Sequence, residues 1–344
     1  MSTLSRVQEQ QREKLRREFG PEVVGWLTNG NVIEIMANPD GRVWLDTLSQ
    51  GLVDTGVVLT STQIDMAIGT VAAYYGRVVN EASPRLQAEL PLGGQRFQGV
   101  RPPISPPLFV IRKHLPQVFS IAEMVAQGTV TAAQAEILLG AIQNEQNIII
   151  AGATLSGKTV LLDTLLYEMP RILGEYLRLI VIEDTHELHV AVRNRVTLRA
   201  TDDQPMRVLV QAAMRMRPDR LIIGEVRGAE ALEMLKAWNT GHGGSACTVH
   251  ASSAAQALRR LKTAVQEAGV PADPEFIGEV VDLLVMMRRR GPRQWRVEEI
   301  LGCHGWRHGQ YDLEPLSSTT TGAIAVNGHD GTDTQHSHSL EEAL

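Results

Sequence analysis

Hydrophobic positions change rhythm twice along the chain. Residues 32–36 and 42–45 are short β-prone runs on either side of Asn38-Pro39-Asp40-Gly41, residue types that favour the tight turn of a hairpin. Ile64, Ile68, Val71 and Tyr75 then fall on one stripe. That spacing predicts a helix over 61–79, which Ser61 or Thr62 can cap. Residues 90–111 return to short strands, broken by Gly93-Gly94 and by the pairs Pro102-Pro103 and Pro106-Pro107. Ahead of all this, 5–19 is dense in Gln, Glu, Arg and Lys and predicts a polar, solvated helix ended by Gly20 and Pro21. Residues 1–115 therefore predict a small α+β domain with no chemistry of its own. Residues 116–131, with Pro116, Gly128 and a short helical piece, predict a linker.

From 132 the pattern becomes that of an α/β domain. A helix over 132–144 leads into an uninterrupted apolar strand at 147–151, a glycine-containing loop and a helix at 159–168. Further buried strands follow at 179–182, 221–223 and 246–249, with helical segments at 204–216 and 229–238 between them. Strands alternating with helices predict a mainly parallel sheet with right-handed crossovers, extending to about residue 316. From Ser317 the chain is rich in Thr, Gly, Ser and His and nearly free of large apolar residues, which predicts a disordered tail. His329, His336 and His338 lie there and read as solvated side chains, not as a metal site.

Composition narrows the picture. A 43% hydrophobic, 21% charged chain is ordinary for a globular protein, so neither half lacks the means to build a core. A net charge of -6 argues against binding nucleic acid through a basic stripe, and no sequence-specific nucleic-acid contact is expected. Cys247 and Cys303 form no CxxC pair, which excludes a cysteine-rich zinc site, and both are expected to be reduced thiols. No stretch approaches the roughly 18 apolar residues of a membrane span, and the charged amino end lacks the apolar core of a secretory signal. The expected location is cytoplasmic, with any membrane contact peripheral.

The loop after the 147–151 strand reads Gly152-Ala153-Thr154-Leu155-Ser156-Gly157-Lys158-Thr159 and fits G-x-x-x-x-G-K-[ST], with a strand before it and a helix after it. Each part has a task in holding ATP. The glycines let backbone N–H groups turn around the phosphates, and the helix start at Thr159-Val160 points its dipole at the anion. Lys158 brings a positive charge to the β- and γ-phosphates, and Thr159 offers a hydroxyl to Mg2+. Such a loop needs carboxylates at neighbouring strand ends, to hold the metal and to orient the attacking water. Glu183 and Asp184 follow one strand and Glu225 another. Glu225 is the better candidate to polarise water. Glu183 remains a second candidate, and Glu183 and Asp184 are candidates for the metal. At the end of the 246–249 strand, His250 is placed to hydrogen-bond the γ-phosphate or a catalytic carboxylate.

These four segments, at 152–159, 182–187, 217–227 and 240–251, resemble in order and spacing the Walker A, Asp box, Walker B and His box of the traffic ATPases of type II and type IV secretion, type IV pili and conjugation. The resemblance covers roughly residues 32–288. The compact amino-terminal part and the absence of a CxxC…CxxC insert look like the conjugation and type IV secretion branch. The resemblance implies a RecA-like ATPase domain and a homohexameric ring. It also implies ATP bound between the amino-terminal domain and the RecA-like domain, and a partner channel at the cytoplasmic face of the inner membrane. It places Arg227 and His242, in the Walker B and His boxes, with the nucleotide-binding residues. It adds arginines of the amino-terminal domain that sense the γ-phosphate. Ile111-Arg112 matches one family strand end. The stretch from Leu90 to Arg96 matches L-P-x-G-x-R one residue out of register, which makes Arg112 and Arg96 candidates and Arg101 a weaker third. Two other readings stay open. One is a nucleic-acid motor with a RecA-like core, disfavoured by the acidic balance and by an aromatic content of only 4%, too little for extensive base stacking. The other is a scaffold whose nucleotide only holds a ring together.

Overall fold

The computed structural model describes residues 5–113, 118–201, 203–291 and 294–318. Two sheets dominate it. The first is built from β1 (Val32–Ala37), β2 (Arg42–Thr47), β3 (Gly51–Val58), β4 (Arg85–Glu89), β5 (Arg96–Val100) and β6 (Leu108–Arg112), in the order β3-β2-β1-β6-β5-β4, every neighbouring pair antiparallel. The 38–41 turn closes the β1–β2 hairpin, with Ala37 opposite Val43. Two helices, α1 (Arg6–Thr28) and α2 (Ser61–Tyr74), pack together beside the sheet. The cap of α2 is Thr60, one residue ahead of the expected Ser61 or Thr62. Its hydroxyl accepts from the N–H of Gln63, whose side chain accepts in return from Thr60 N–H.

The amino-terminal helix departs from its expected form. The backbone does break at Gly20 (φ 76, ψ 167), but it resumes as helix from Pro21 and runs on to Thr28. Nor is it merely solvated. Leu15, Phe19, Val23 and Leu27 recur every fourth residue and are buried, with Phe19 against Phe109 of β6.

The second sheet is formed by β7 (Ile148–Gly152), β8 (Arg178–Glu183), β9 (Asn194–Arg199), β10 (Arg220–Val226), β11 (Ala246–His250), β12 (Leu283–Gly291), β13 (Gln294–Arg307) and β14 (Gln310–Ser318), in the order β14-β13-β12-β7-β11-β10-β8-β9. It is α/β but mixed. The strands from β12 to β9 are parallel, whereas β13 pairs antiparallel with β12 and β14 antiparallel with β13. The central strands are buried on both faces, which is why they read as uninterrupted apolar runs. Helices α3 (Ile121–Ala126), α4 (Ala132–Gln143), α5 (Lys158–Leu173), α6 (Met206–Ala213), α7 (Glu230–Asn239), α8 (Ala254–Gln266) and α9 (Pro274–Val280) accompany this sheet. They complete two apolar clusters, one holding residues of α4 and α5, the other residues of α6 to α9. Cys247 and Cys303 are free thiols inside this layer. Residues 317 and 318 belong to β14. The rest of the expected disordered tail, with its three histidines, lies outside the described residues. Among the described residues no helix is long and apolar enough to cross a membrane.

Ion pairs join the two sheets. Arg96 Nε stands 2.6 Å from Glu187, Arg199 2.9 Å from Glu89, and Arg289 3.7 Å from Asp46. Between them opens a cleft whose walls include Ile33, Arg112 and Lys113 from the first sheet and the loop 155–160 from the second.

Candidate functional site

The carboxyl ends of the parallel strands converge on this cleft, as open α/β sheets require of their binding edge. β7 runs into the loop 153–157, and α5 starts immediately after it. Close packing explains the first glycine. A Cβ on Gly152 would lie 2.3 Å from Ser156 Oγ and 2.6 Å from the Met287 carbonyl. Gly157 adopts φ +89, and Leu155 is held at φ +61, a conformation that costs an L-residue energy. No side chain caps α5, so its first N–H groups are free of a side-chain acceptor at the cleft. Ser156 Oγ is buried without a hydrogen-bond partner.

Lys158 is buried beneath the loop. Its Nζ donates to Gly152 O (3.0 Å) and Ala153 O (2.9 Å) and faces His250 Nδ1 at 3.3 Å. Burial pushes its pKa down to about 8, against the pull of Glu225. On the far side of the same imidazole, His250 Nε2 stands 2.7 Å from Glu225 Oε1. Arg227 then pairs with Glu225 at 2.6 Å and with Asp184 at 3.2 Å. Burial by itself would raise the Glu225 pKa. Arg227, His250 and Lys158 outweigh it and hold the carboxyl below its ordinary value. Burial also lowers the pKa of His250, against the pull of Glu225, and favours the neutral ring.

Glu225 reaches this position through a break in strand register. β10 and β11 shift between Ile223 and Val226, and Thr248 Oγ1 donates to Gly224 O at 2.7 Å across the irregularity. A bulge of this kind re-aims the side chain that follows it. Gly224 is needed beside it, since a Cβ there would press to 3.0 Å on Glu183 Cγ.

Glu183 is differently employed. Its buried carboxylate accepts the N–H groups of Glu187 and Leu188, both at 3.0 Å, so it folds the 184–188 loop rather than facing the cleft. That loop presents Glu187 to Arg96. Arg112 lines the cleft and pairs with Glu34, whereas Arg96 does not line it and is joined to it through Glu187. Arg101 is held by Asp65 and by the Val79 carbonyl within the first sheet's layer and does not line the cleft.

The structure separates His242 from the nucleotide loop. It precedes β11, at the amino ends of the strands, where its Nδ1 contacts Pro218 O at 2.9 Å. β11 runs about 13 Å from end to end at roughly 3.3 Å per residue, with His242 ahead of its first residue and His250 its last.

Two further residues escaped sequence reasoning. Asp163 on α5 lines the cleft and accepts from both His189 N (2.6 Å) and, at 2.8 Å, the His189 ring. Trp295 on β13 donates from Nε1 to Leu155 O at 3.1 Å. The spacing of Asp163 one turn past Thr159 was a usable signal for the first. No local signal marks Trp295, which is distant in sequence.

Comparison with known proteins places this geometry. The family described as Type II/IV secretion system protein matches residues 96–288, a span that contains every strand-end residue named above. A probable conjugal transfer protein TrbB of Sinorhizobium fredii is 41% identical over 302 residues, covering 88% of this chain and 92% of that protein. The type IV secretion system protein VirB11 of Bartonella henselae is 28% identical over 312 residues, covering 77% of this chain and 86% of its own. Among solved structures, the Legionella pneumophila ATPase DotB superposes with a TM-score of 0.58 at 18% identity, over 85% of this chain and 81% of that one, and shares its fold. Motif order, a family match over more than half the chain and close full-length relatives agree: the chain belongs to the Type II/IV secretion system protein family, in its branch of conjugation and type IV secretion traffic ATPases.

Proposed function

We propose that the protein is an ATP-hydrolysing motor, working as a homohexamer, that powers conjugative transfer or type IV secretion at the cytoplasmic face of the inner membrane. In this reading a RecA-like domain over 132–316 carries the chemistry, and a domain over 1–115, joined by 116–131, closes on it. The observation that carries the reading is the convergence of Lys158, His250, Glu225 and Arg227 on a nucleotide loop roofed by Arg112. Lys158 exchanges its two loop carbonyls for phosphate oxygens. Glu225, kept ionised by its cationic neighbours, accepts a hydrogen bond from the attacking water and aligns it. His250 fixes the carboxylate, and Arg112 and Arg96 meet the charge of the terminal phosphate. Positioning and charge stabilisation of this sort account for most of such catalysis.

The residues present also fit Mg2+. Thr159 lies at the cleft and Asp184 keeps a partly exposed carboxylate, oxygen donors of the type this ion takes. Among the described residues no cluster of three ligands forms a metal cage. That suits an ion that takes most of its ligands from phosphate and water. When bound, it would neutralise phosphate charge. The names of the TrbB and VirB11 relatives support the conjugation and secretion setting.

The test is phosphate release from Mg-ATP by the purified protein and by Lys158→Ala, each sized by light scattering. Turnover by a particle of six subunits, reduced at least about a hundredfold in the variant, is expected. A monomer that hydrolyses ATP only when DNA is added would replace this reading with the nucleic-acid motor.

A further inference from the structure

We infer that Trp295 is a positioning residue of the nucleotide loop, held out to it by the antiparallel arm β12–β13. The inference rests on the nucleotide reading of the cleft. A phosphate-binding loop works only if its backbone is held in an otherwise unfavourable shape, and here the strain sits at Leu155, a non-glycine residue at φ +61. The indole N–H of Trp295 takes the carbonyl of this same residue at 3.1 Å. In a planar trans peptide the next N–H points the opposite way, and that of Ser156 closes the turn onto Ala153 O at 3.3 Å. One side chain thereby fixes the peptide plane at the tip of the loop.

The ring has a second contact. A Cβ on Gly157 would lie 3.0 Å from indole Cγ and Cδ1, so the indole packs directly on the backbone from which α5 starts. Gly157 is required twice, by its positive φ and by Trp295. The ring is partly buried against the cluster that contains Ile150, Leu161 and Val297, and it lines the cleft. Opposite it in the β12–β13 ladder is Arg289, which lines the same cleft and pairs with Asp46 of the first sheet. The arm thus holds the loop through one residue and the amino-terminal sheet through its cross-strand neighbour. A loop held in its binding shape in advance binds phosphate with less ordering cost. Trp295 should therefore act on nucleotide affinity more than on the rate of the bound complex.

The experiment compares ADP affinity, with a fluorescent ADP analogue, and the KM and kcat for ATP in the wild type, Trp295→Phe and Trp238→Phe. Trp295→Phe keeps the ring and removes only the donor. Trp238→Phe removes an equivalent donor, to Leu221 O at 3.3 Å, away from the cleft. Expected is a roughly three- to tenfold loss of ADP affinity and a matching rise in KM for Trp295→Phe, the worth of one neutral hydrogen bond, with kcat within about twofold. Trp238→Phe should lower the melting temperature and leave affinity unchanged. Wild-type affinity in Trp295→Phe, or equal losses in both variants, would overturn the inference while leaving the nucleotide reading intact. A wild type that binds no ADP overturns both.

Discussion

The two ends of the central parallel strands carry similar residues to different purposes. At the amino ends, the buried Arg220 donates to Gly243 O and pairs with Glu145, and His242 is tied to Pro218 O. The guanidinium lies so close to Gly244 that a Cβ there would fall 2.4 Å from its Cζ. Charge is packed onto backbone and locks two loops together. At the carboxyl ends, charge is packed onto charge. Lys158, His250, Glu225, Arg227 and Asp184 form one chain of contacts beside an open cleft, and Ser156 Oγ is left without a partner. A site that must accept a highly charged ligand keeps its polar groups exchangeable, whereas a structural site consumes them. The two histidines of a single motif, eight positions apart, fall on opposite sides of this division.

Substitutions can break or sharpen that contrast. The largest effect is expected from Glu225→Gln, which leaves the shape and removes the charge proposed to align water. Phosphate release should fall at least about a hundredfold, while ADP binding, read by the same fluorescent analogue, persists. A variant that loses binding and turnover together would place Glu225 in binding instead. The paired histidine variants come next. His250→Asn should reduce turnover by about tenfold. His242→Asn should leave turnover within about twofold and cost about 1 kcal/mol, a shift of roughly 2–4 °C in a melting curve. Loss of turnover in His242→Asn would erase the distinction between the two ends within one chain. The smallest effect is in pH. Burial raises the Glu183 carboxyl from 4.5 to about 7, against the pull of two backbone N–H donors. A raised carboxyl pKa contributes stability that is complete below the unfolded value and disappears as pH rises through the folded one. Wild-type stability should therefore fall relative to Glu183→Gln as pH rises from about 5 to about 8, by on the order of 1 kcal/mol. Parallel curves would show that the carboxyl titrates normally.

Legibility in the sequence followed how local the cause was. The strands read at 147–151, 179–182 and 221–223 were readable because burial on both faces makes these runs nearly uniformly apolar. The nucleotide loop was readable because its chemistry is contiguous, and Glu225 and His250 stood out because each follows such an apolar run, at the carboxyl end of β10 and of β11. β9 was not read as a strand. It pairs on one side only and its residues, Asn194-Arg195-Val196-Thr197-Leu198-Arg199, mix exposed polar and half-buried positions. The polar look of the first helix concealed an i, i+4 stripe from Leu15 to Leu27 that periodicity could have shown. Glu183 was read as a catalytic or metal group from its place at a strand end, where a carboxylate that faces a cleft looks the same as one that, as here, accepts N–H groups of its own following loop. Only the fold tells these apart. Trp295 depends on a contact spanning 140 positions, which no local pattern announces.

The two cysteines have a practical consequence. Both are buried, Cys247 in β11 beside His250 and Cys303 in β13, and burial raises both thiols above their ordinary pKa, so neither is a ready nucleophile. The chain therefore offers a chemically silent background for maleimide dyes and spin labels. A single thiol introduced on the exposed face of β3 and another on α5 would be the only reactive pair. The distance between them becomes a ruler laid across the cleft, able to report any change in its width.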